Sequence, residues 1–291
     1  MSVPPDLPRE EERSTVKALH VAPAVDVPAR RVWGTRRNLI SRVRSRPAAA
    51  VLFAIALALG WEIAGRGKPV FSSYPSAIAS SAVRILVPDV LPAFQSTLIG
   101  LFAGLGIAIP IAIVVGIAMG RNRAIEVVLS PYVNALFVTP RIALVPLLVL
   151  WFGLDFELRL SIVILSSVFP MIVNVVAGMK QVDPALLDVG RVFVASPRQR
   201  LLTIIVPGAL PYIFTGLRIG LLSALGGVLV AEMTSSITGI GARLINYGRY
   251  FETDKLFVVV FAVGLLGLSL SGGLERLQRR VAPWTSRGRV P

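Results

Sequence analysis

Six long apolar stretches, separated by short polar ones, run from about residue 47 to residue 274. They are roughly Pro47–Ala64, Ala93–Met119, Val127–Phe152, Leu158–Met179, Tyr212–Met233 and Leu256–Leu274. About 20 apolar residues in a helix cross the hydrocarbon core of a bilayer. The pattern therefore predicts an all-α membrane protein with six transmembrane helices. The first stretch is short, and the second is long enough to tilt. The third is interrupted by Pro140, Arg141 and Pro146, which predicts a kink or a partly unwound span. Between the first two, YPSAIASSAVRILV places Ile78, Ala82, Ile85 and Leu86 on one helical face, as in a short amphipathic helix at the outer interface. Gly100/Gly104 and Gly116/Gly120 in the second span are spaced for close helix approach, although such pairs are frequent in spans.

The polar stretches divide the chain. Residues 1–46 are rich in Pro, Glu and Arg, with no sustained period, and read as a disordered basic tail. Residues 47–274 form the membrane domain, and residues 275–291 a second basic tail. Within the membrane domain, residues 180–211 form a charged island between two of its most apolar segments. Asp183-Pro184 and Ser196-Pro197 are helix starts, each an N-cap acceptor followed by a residue suited to the first helical position. Ser196 and Gln199 also fit a capping box. The island is expected to hold two short helices, about Pro184–Val194 and Pro197–Val206. Pro207 and Pro211 would close the second and open the fifth span. Asp188 and Arg191, three apart, share a face of the first helix. A solvated loop would account for the arginines, but two capped helix starts point to a docking element for a partner.

Charge adds orientation. The 291 residues are 54% hydrophobic and 16% charged, against about 25% charged in soluble domains. The net charge is +14, but its placement argues against nucleic acid as a partner. Six spans put both termini on one side. With the termini inside, 21 Lys and Arg fall in cytoplasmic segments and 7 in outer ones. This bias predicts both termini and the island in the cytoplasm of a multi-pass inner-membrane protein, with basic ends near anionic lipid. The chain has no Cys and one His, His20 in the polar tail, so it lacks the usual soft metal ligands. No cofactor is expected.

The island resembles the cytoplasmic EAA loop of ABC-importer permeases: Glu-Ala-Ala, three residues, Gly, nine residues, then Ile-x-Leu-Pro. Here the slots are Asp188-Val189-Gly190, then Val194, then Ile204-Ile205-Val206-Pro207. LPYIFTGLRIGL, VAEM, GIG and PRIALVPLLVLWFG are similar to the nitrate/sulfonate/taurine branch, and the likeness covers roughly Val70 to Leu274. Two departures stand out. Val194 occupies the family's Gly position, where a β-branched residue resists a left-handed turn, so the turn is expected to shift to Ala195-Ser196. Gly190 replaces Ala, which weakens the first helix by about 1 kcal/mol. The resemblance implies a type I importer permease fold with a two-helix coupling loop. It also implies separate ABC ATPase subunits docked on that loop, an extracytoplasmic solute-binding protein, and a second permease subunit, expected as a homodimer. Coupling would involve Asp188, Gly190, Arg191, Ser196, Arg198, Gln199, Arg200 and Pro207. The chain has no Gly-x-x-x-x-Gly-Lys-[Ser/Thr] phosphate cradle, in keeping with ATP hydrolysis by another subunit.

Polar residues inside spans are candidates for the translocation path. Arg141, beside Thr139 and Pro140, either meets an anionic solute or pairs with a carbonyl freed by the proline. Arg218 and Glu232 share the fifth span but lie about 21 Å apart along a helix, too far to pair. Arg218 is expected to snorkel inward and Glu232 outward. Asn174 and Ser223 line the path or bond neighbouring helices. Taken together, the sequence points to the permease subunit of an ATP-driven importer for a small anionic solute such as nitrate, a sulfonate or taurine. A stand-alone ion-coupled secondary carrier or channel is the alternative, and it requires buried acids along the spans. A membrane enzyme lacks a catalytic constellation, with Asp155/Glu157 and Glu252/Asp254 read as solvated turns.

Overall fold

The computed structural model describes residues 47–67, 71–235 and 238–286; the tail 1–46 lies outside the described residues. The chain divides into two units, Met1–Ile55 and Ala56–Pro291. The described part of the first is the opening of helix α1 (Pro47–Gly67), and every contact below lies within the second. There the order is α2 (Pro75–Ile85), a π-turn (Leu86–Val90), α3 (Leu91–Arg121), α4 (Arg123–Val138), α5 (Arg141–Phe152) and α6 (Phe156–Lys180). Next come α7 (Pro184–Val192), α8 (Pro197–Arg200), a second π-turn (Leu201–Ile205), α9 (Val206–Ser235), α10 (Ile240–Arg249) and α11 (Thr253–Val281). No strand occurs among the described residues. Among the described residues five helical runs are long and apolar enough to cross a membrane, and α4 with α5 makes a sixth if that bent pair is one span.

The expected break in the third span lies at Thr139-Pro140. A residue before proline is pushed out of the α region, and Thr139 has φ −58 and ψ 127. Its hydroxyl donates to the carbonyl of Ala135 at 2.8 Å, closing α4. The chain restarts as α5 at 91° to α4.

The centre is α6, packed between α3 and α9. Between helices in lipid, close van der Waals packing is a main attraction, and small residues permit it. Both predicted glycine pairs serve this contact. A Cβ added at Gly104 would lie 2.3 Å from Val163, and one at Gly116 2.6 Å from Val175. On the other side, Gly216 and Gly220 let α9 approach Asn174 and Met171. Leu101, Leu105, Val163, Met171, Leu221 and Val228 fill the resulting core.

The amphipathic helix α2 buries Ile78 and Ile85 as expected, but Leu86 begins the π-turn and is half exposed. The acid read as part of a solvated turn, Asp254, instead accepts a hydrogen bond from Ser81 and ties α11 to α2. Pro207 does not end the second island helix. The π-turn Leu201–Ile205 runs directly into α9 through Pro207 and Pro211. The amide of Val206 donates five residues back, to Leu201. Local π geometry of this kind accommodates a proline that cannot donate.

Candidate functional site

The island is a two-helix element with a side-chain cap at the start of each helix. Asp183 caps α7, its Oδ1 accepting from the amide of Ala185 at 2.9 Å. Ser196 and Gln199 form the complete capping box of α8, at 3.2 Å from the Gln199 amide and 2.8 Å from the Ser196 amide. Asp188 and Arg191 pair at 2.7 Å, both well exposed. Between the helices the turn stays at Val194, contrary to the expected shift, with φ 52. The Val194 amide donates to Arg191 at 2.9 Å and the Ala195 amide to Gly190 at 3.0 Å. These two bonds make a Schellman motif with Val194 at its left-handed position, so the paired bonds hold the β-branched residue there.

Gly190 is buried, and an added Cβ would lie 2.8 Å from Ile204 Cδ1 and 3.3 Å from the stem of Arg200. The glycine that weakens α7 therefore lets the second helix lie close. Arg200 packs into this seam, while Arg198 is exposed. Beside the exposed Asp188–Arg191 pair the element presents an apolar row. Leu186, Val189, Val192 and Phe193 are all exposed, the last two at 79% and 80%. The signal was present as a period of three to four residues, masked by the surrounding oily sequence.

A second feature is an open cavity of about 360 Å³ beside the broken span. It brings together Arg141 of α5, Ser166 of α6, and Ser223 and Gly226 of α9. Among the described residues Arg141 has no acidic partner, and its Nε is buried with no hydrogen-bond partner. Hydroxyls in apolar helices ordinarily bond back to the carbonyl four residues earlier. Ser167, Thr215 and Thr234 do so at 2.7, 2.9 and 2.9 Å. Ser166 and Ser223 make no such bond among the described residues, although Ser166 is only 3% exposed. Arg141 and Ser223 from the predicted path thus meet, and Ser166 joins them unpredicted.

The other predicted path residues lie elsewhere. Thr139 closes α4. Asn174 donates to the carbonyl of Pro170 at 2.8 Å and packs against Gly216. Arg218 reaches Glu275 of α11 at 3.9 Å. Glu232 does not snorkel outward: it is fully buried. Its Oε2 accepts from Thr97 Oγ1 and from the amide of Gly241, both at 2.9 Å, and Arg159 stands 3.7 Å from Oε1. Arg159, near the start of α6, also donates to Ser96 and Thr238 at 3.1 and 2.7 Å. Glu232 Oε1 is buried with no hydrogen-bond partner among the described residues, so Arg159 is its charge partner and removing either group would leave an uncompensated charge.

Among the described residues the spans are all helical, one is broken at a proline, and two are joined by a doubly capped helical element, in keeping with a type I importer-permease fold. The chain belongs to the family described as "Binding-protein-dependent transport system inner membrane component", whose model matches residues 108–286, and it is a permease subunit of an ABC importer. It is 29% identical to the taurine transport system permease protein TauC of Escherichia coli, over 79% of this chain and 87% of that one. It is 31% identical to the aliphatic sulfonates transport permease protein SsuC of Bacillus subtilis, over 62% of this chain and 64% of that one. With the bicarbonate transport system permease protein CmpB of Synechocystis, identity is 30% over 62% and 65% of the two chains. Its fold matches an inward-facing structure of the MetNI methionine ABC transporter with a TM-score of 0.55. That match covers 69% of this chain and 98% of the other at 18% identity.

Proposed function

We propose that this permease docks separate ATPase subunits through α7 and α8 and forms, with a second copy, the path for a small anionic solute delivered by an extracytoplasmic binding protein. The carrying observation is the exposed apolar row Leu186, Val189, Val192 and Phe193 on a doubly capped element outside the spans. An exposed apolar cluster marks a surface that another protein covers. Stiff capped helices transmit a rigid-body motion that a floppy loop would absorb. The basic bias of the island and tails supports placing both termini and this element in the cytoplasm.

The solute reading rests on Arg141. An unpaired guanidinium facing lipid is costly, so its cavity belongs against water or another subunit. A guanidinium offers paired donors to oxoanions, and relatives named for taurine, aliphatic sulfonates and bicarbonate are consistent with such a solute. Among the described residues Glu232 is the one buried acid, as an ion-coupled carrier would require, but Thr97, Gly241 and Arg159 engage it and it does not line the Arg141 cavity.

The test is co-purification of the cognate ATPase with wild type, Asp188→Lys, and a Ser196→Ala/Gln199→Ala variant. The double variant removes about 1 kcal/mol or more of local helix stability without touching a span. ATPase recovery and solute uptake are expected to fall for both. Full recovery and full uptake with both variants would contradict the docking role.

A further inference from the structure

We infer that Gly226 sets the size of solute admitted to the Arg141 cavity, with Ser166 and Ser223 as its hydrogen-bonding contacts. This rests on the reading of the chain as a path-forming subunit. The cavity is lined by a cation and two hydroxyls that lack the bond their helices ordinarily supply. Ser166 is the sharpest case. It is almost fully enclosed, its neighbour Ser167 bonds back to Val163, and Ser166 does not. Ser166 borders the cavity, where its hydroxyl is free to bond water or a polar ligand.

Two adjacent glycines of α9 border this space, with opposite surroundings. A Cβ at Gly227 would lie 2.6 Å from Ser166 Oγ, so Gly227 serves packing against α6. A Cβ at Gly226 would meet nothing within 4 Å. Gly is disfavoured in a helix interior relative to Ala, and no contact among the described residues requires it at position 226. Its consequence is open room beside Arg141, Ser166 and Ser223. A side chain there grows into the cavity without disturbing the fold, narrowing the space and leaving the polar contacts in place.

Because the chain has no Cys, a single thiol reports on the cavity. Ser223→Cys in the full-length protein, in membranes, is treated with two methanethiosulfonates of similar size, one ending in a sulfonate and one in a trimethylammonium. The thiolate attacks the reagent sulfur, a mixed disulfide forms, and methanesulfinate leaves. Rates are normalised to Ser80→Cys, an exposed position on α2. The anionic reagent is expected to react about tenfold faster than the cationic one, the equivalent of roughly 1.4 kcal/mol of attraction by Arg141. Adding Arg141→Gln should erase that preference. Adding Gly226→Leu should slow both reagents about tenfold or more, by filling the space. Gly226→Ala should slow a bulkier anionic reagent more than the small one.

An unreactive Ser223→Cys in every background, beside a reactive Ser80→Cys, would show that the cavity is not an aqueous chamber and overturn the inference. So would rates indifferent to Gly226→Leu. Neither result bears on ATPase docking, which the co-purification experiment tests separately.

Discussion

Gly239 lies directly over the carboxylate of Glu232: a Cβ at Gly239 would sit 2.1 Å from the Glu232 carboxyl carbon. Gly239 has φ 91, a conformation that side chains other than Gly resist. The loop entering α10 is therefore wrapped around the acid, which holds the Gly241 amide at 2.9 Å. Thr97 completes the contact by accepting from the amide of Ile240 at 2.9 Å. Gly239→Ala, which meets both a clash and backbone strain, should destabilise the protein by roughly 3 kcal/mol. Glu232→Gln should cost about 3–5 kcal/mol, because it leaves Arg159 without its buried partner. Gly248→Ala, where a Cβ meets nothing within 4 Å, is the control and should be neutral or slightly stabilising. Thermal unfolding in detergent separates these variants, and a Gly239→Ala protein as stable as Gly248→Ala would refute the clamp.

Val194→Gly should stabilise the two-helix element. The left-handed conformation costs a residue with a Cβ about 1–2 kcal/mol. Some of this is offset by the greater freedom of Gly in the unfolded chain, leaving a net gain of about 0.5–1 kcal/mol. Slower amide exchange across Pro184–Arg200 is the expected readout. Faster exchange would mean that the Val194 side chain contributes a contact that outweighs its strain.

These cases show what was legible in sequence. The caps at Asp183 and Ser196 and the break at Thr139-Pro140 depend on residues adjacent in the chain, so local chemistry sufficed. The Schellman bonds that keep Val194 left-handed are also local, but the competing preference of a β-branched residue hid them. Glu232 was misplaced for another reason. Its partners Thr97, Gly241 and Arg159 come from other helices, and burial by tertiary packing has no local signature. Pro207 was read as a stop because a single proline usually ends a helix, whereas the π-turn before it absorbs the missing donor. Arg141 and Ser223 were noticed singly as in-span polar groups. Ser166 was not, because a serine in a helix ordinarily satisfies itself.

Tyr247 of α10 gives a pH signature. Burial, then the nearby Asp89 carboxylate, push its phenol up to about 12; its hydroxyl lies 3.3 Å from Asp89. The folded state favours the neutral phenol, so its contribution is fully present below about pH 10, the ordinary tyrosine value, and is lost as pH rises toward 12. Ultraviolet titration of tyrosinate should show one of the five tyrosines ionising last. Tyr247→Phe should remove that late component; its persistence in the variant would contradict the assignment.

The orientation is testable with the same cysteine-free background. Ser196→Cys should resist an impermeant thiol reagent in intact cells, and Ser80→Cys should react. Reaction of position 196 from outside would place the two-helix element on the wrong side for an ATPase.

The central claim, that α7 and α8 form the docking surface for a separate ATPase, is tested most directly by a photocrosslinking amino acid at Phe193, exposed at the tip of the apolar row. Illumination of the assembled transporter should give a covalent adduct between this chain and the ATPase subunit. The same group at Val83, equally exposed but on α2, should give none. An ATPase that co-purifies with the protein yet crosslinks to position 83 and never to position 193 would contradict the account.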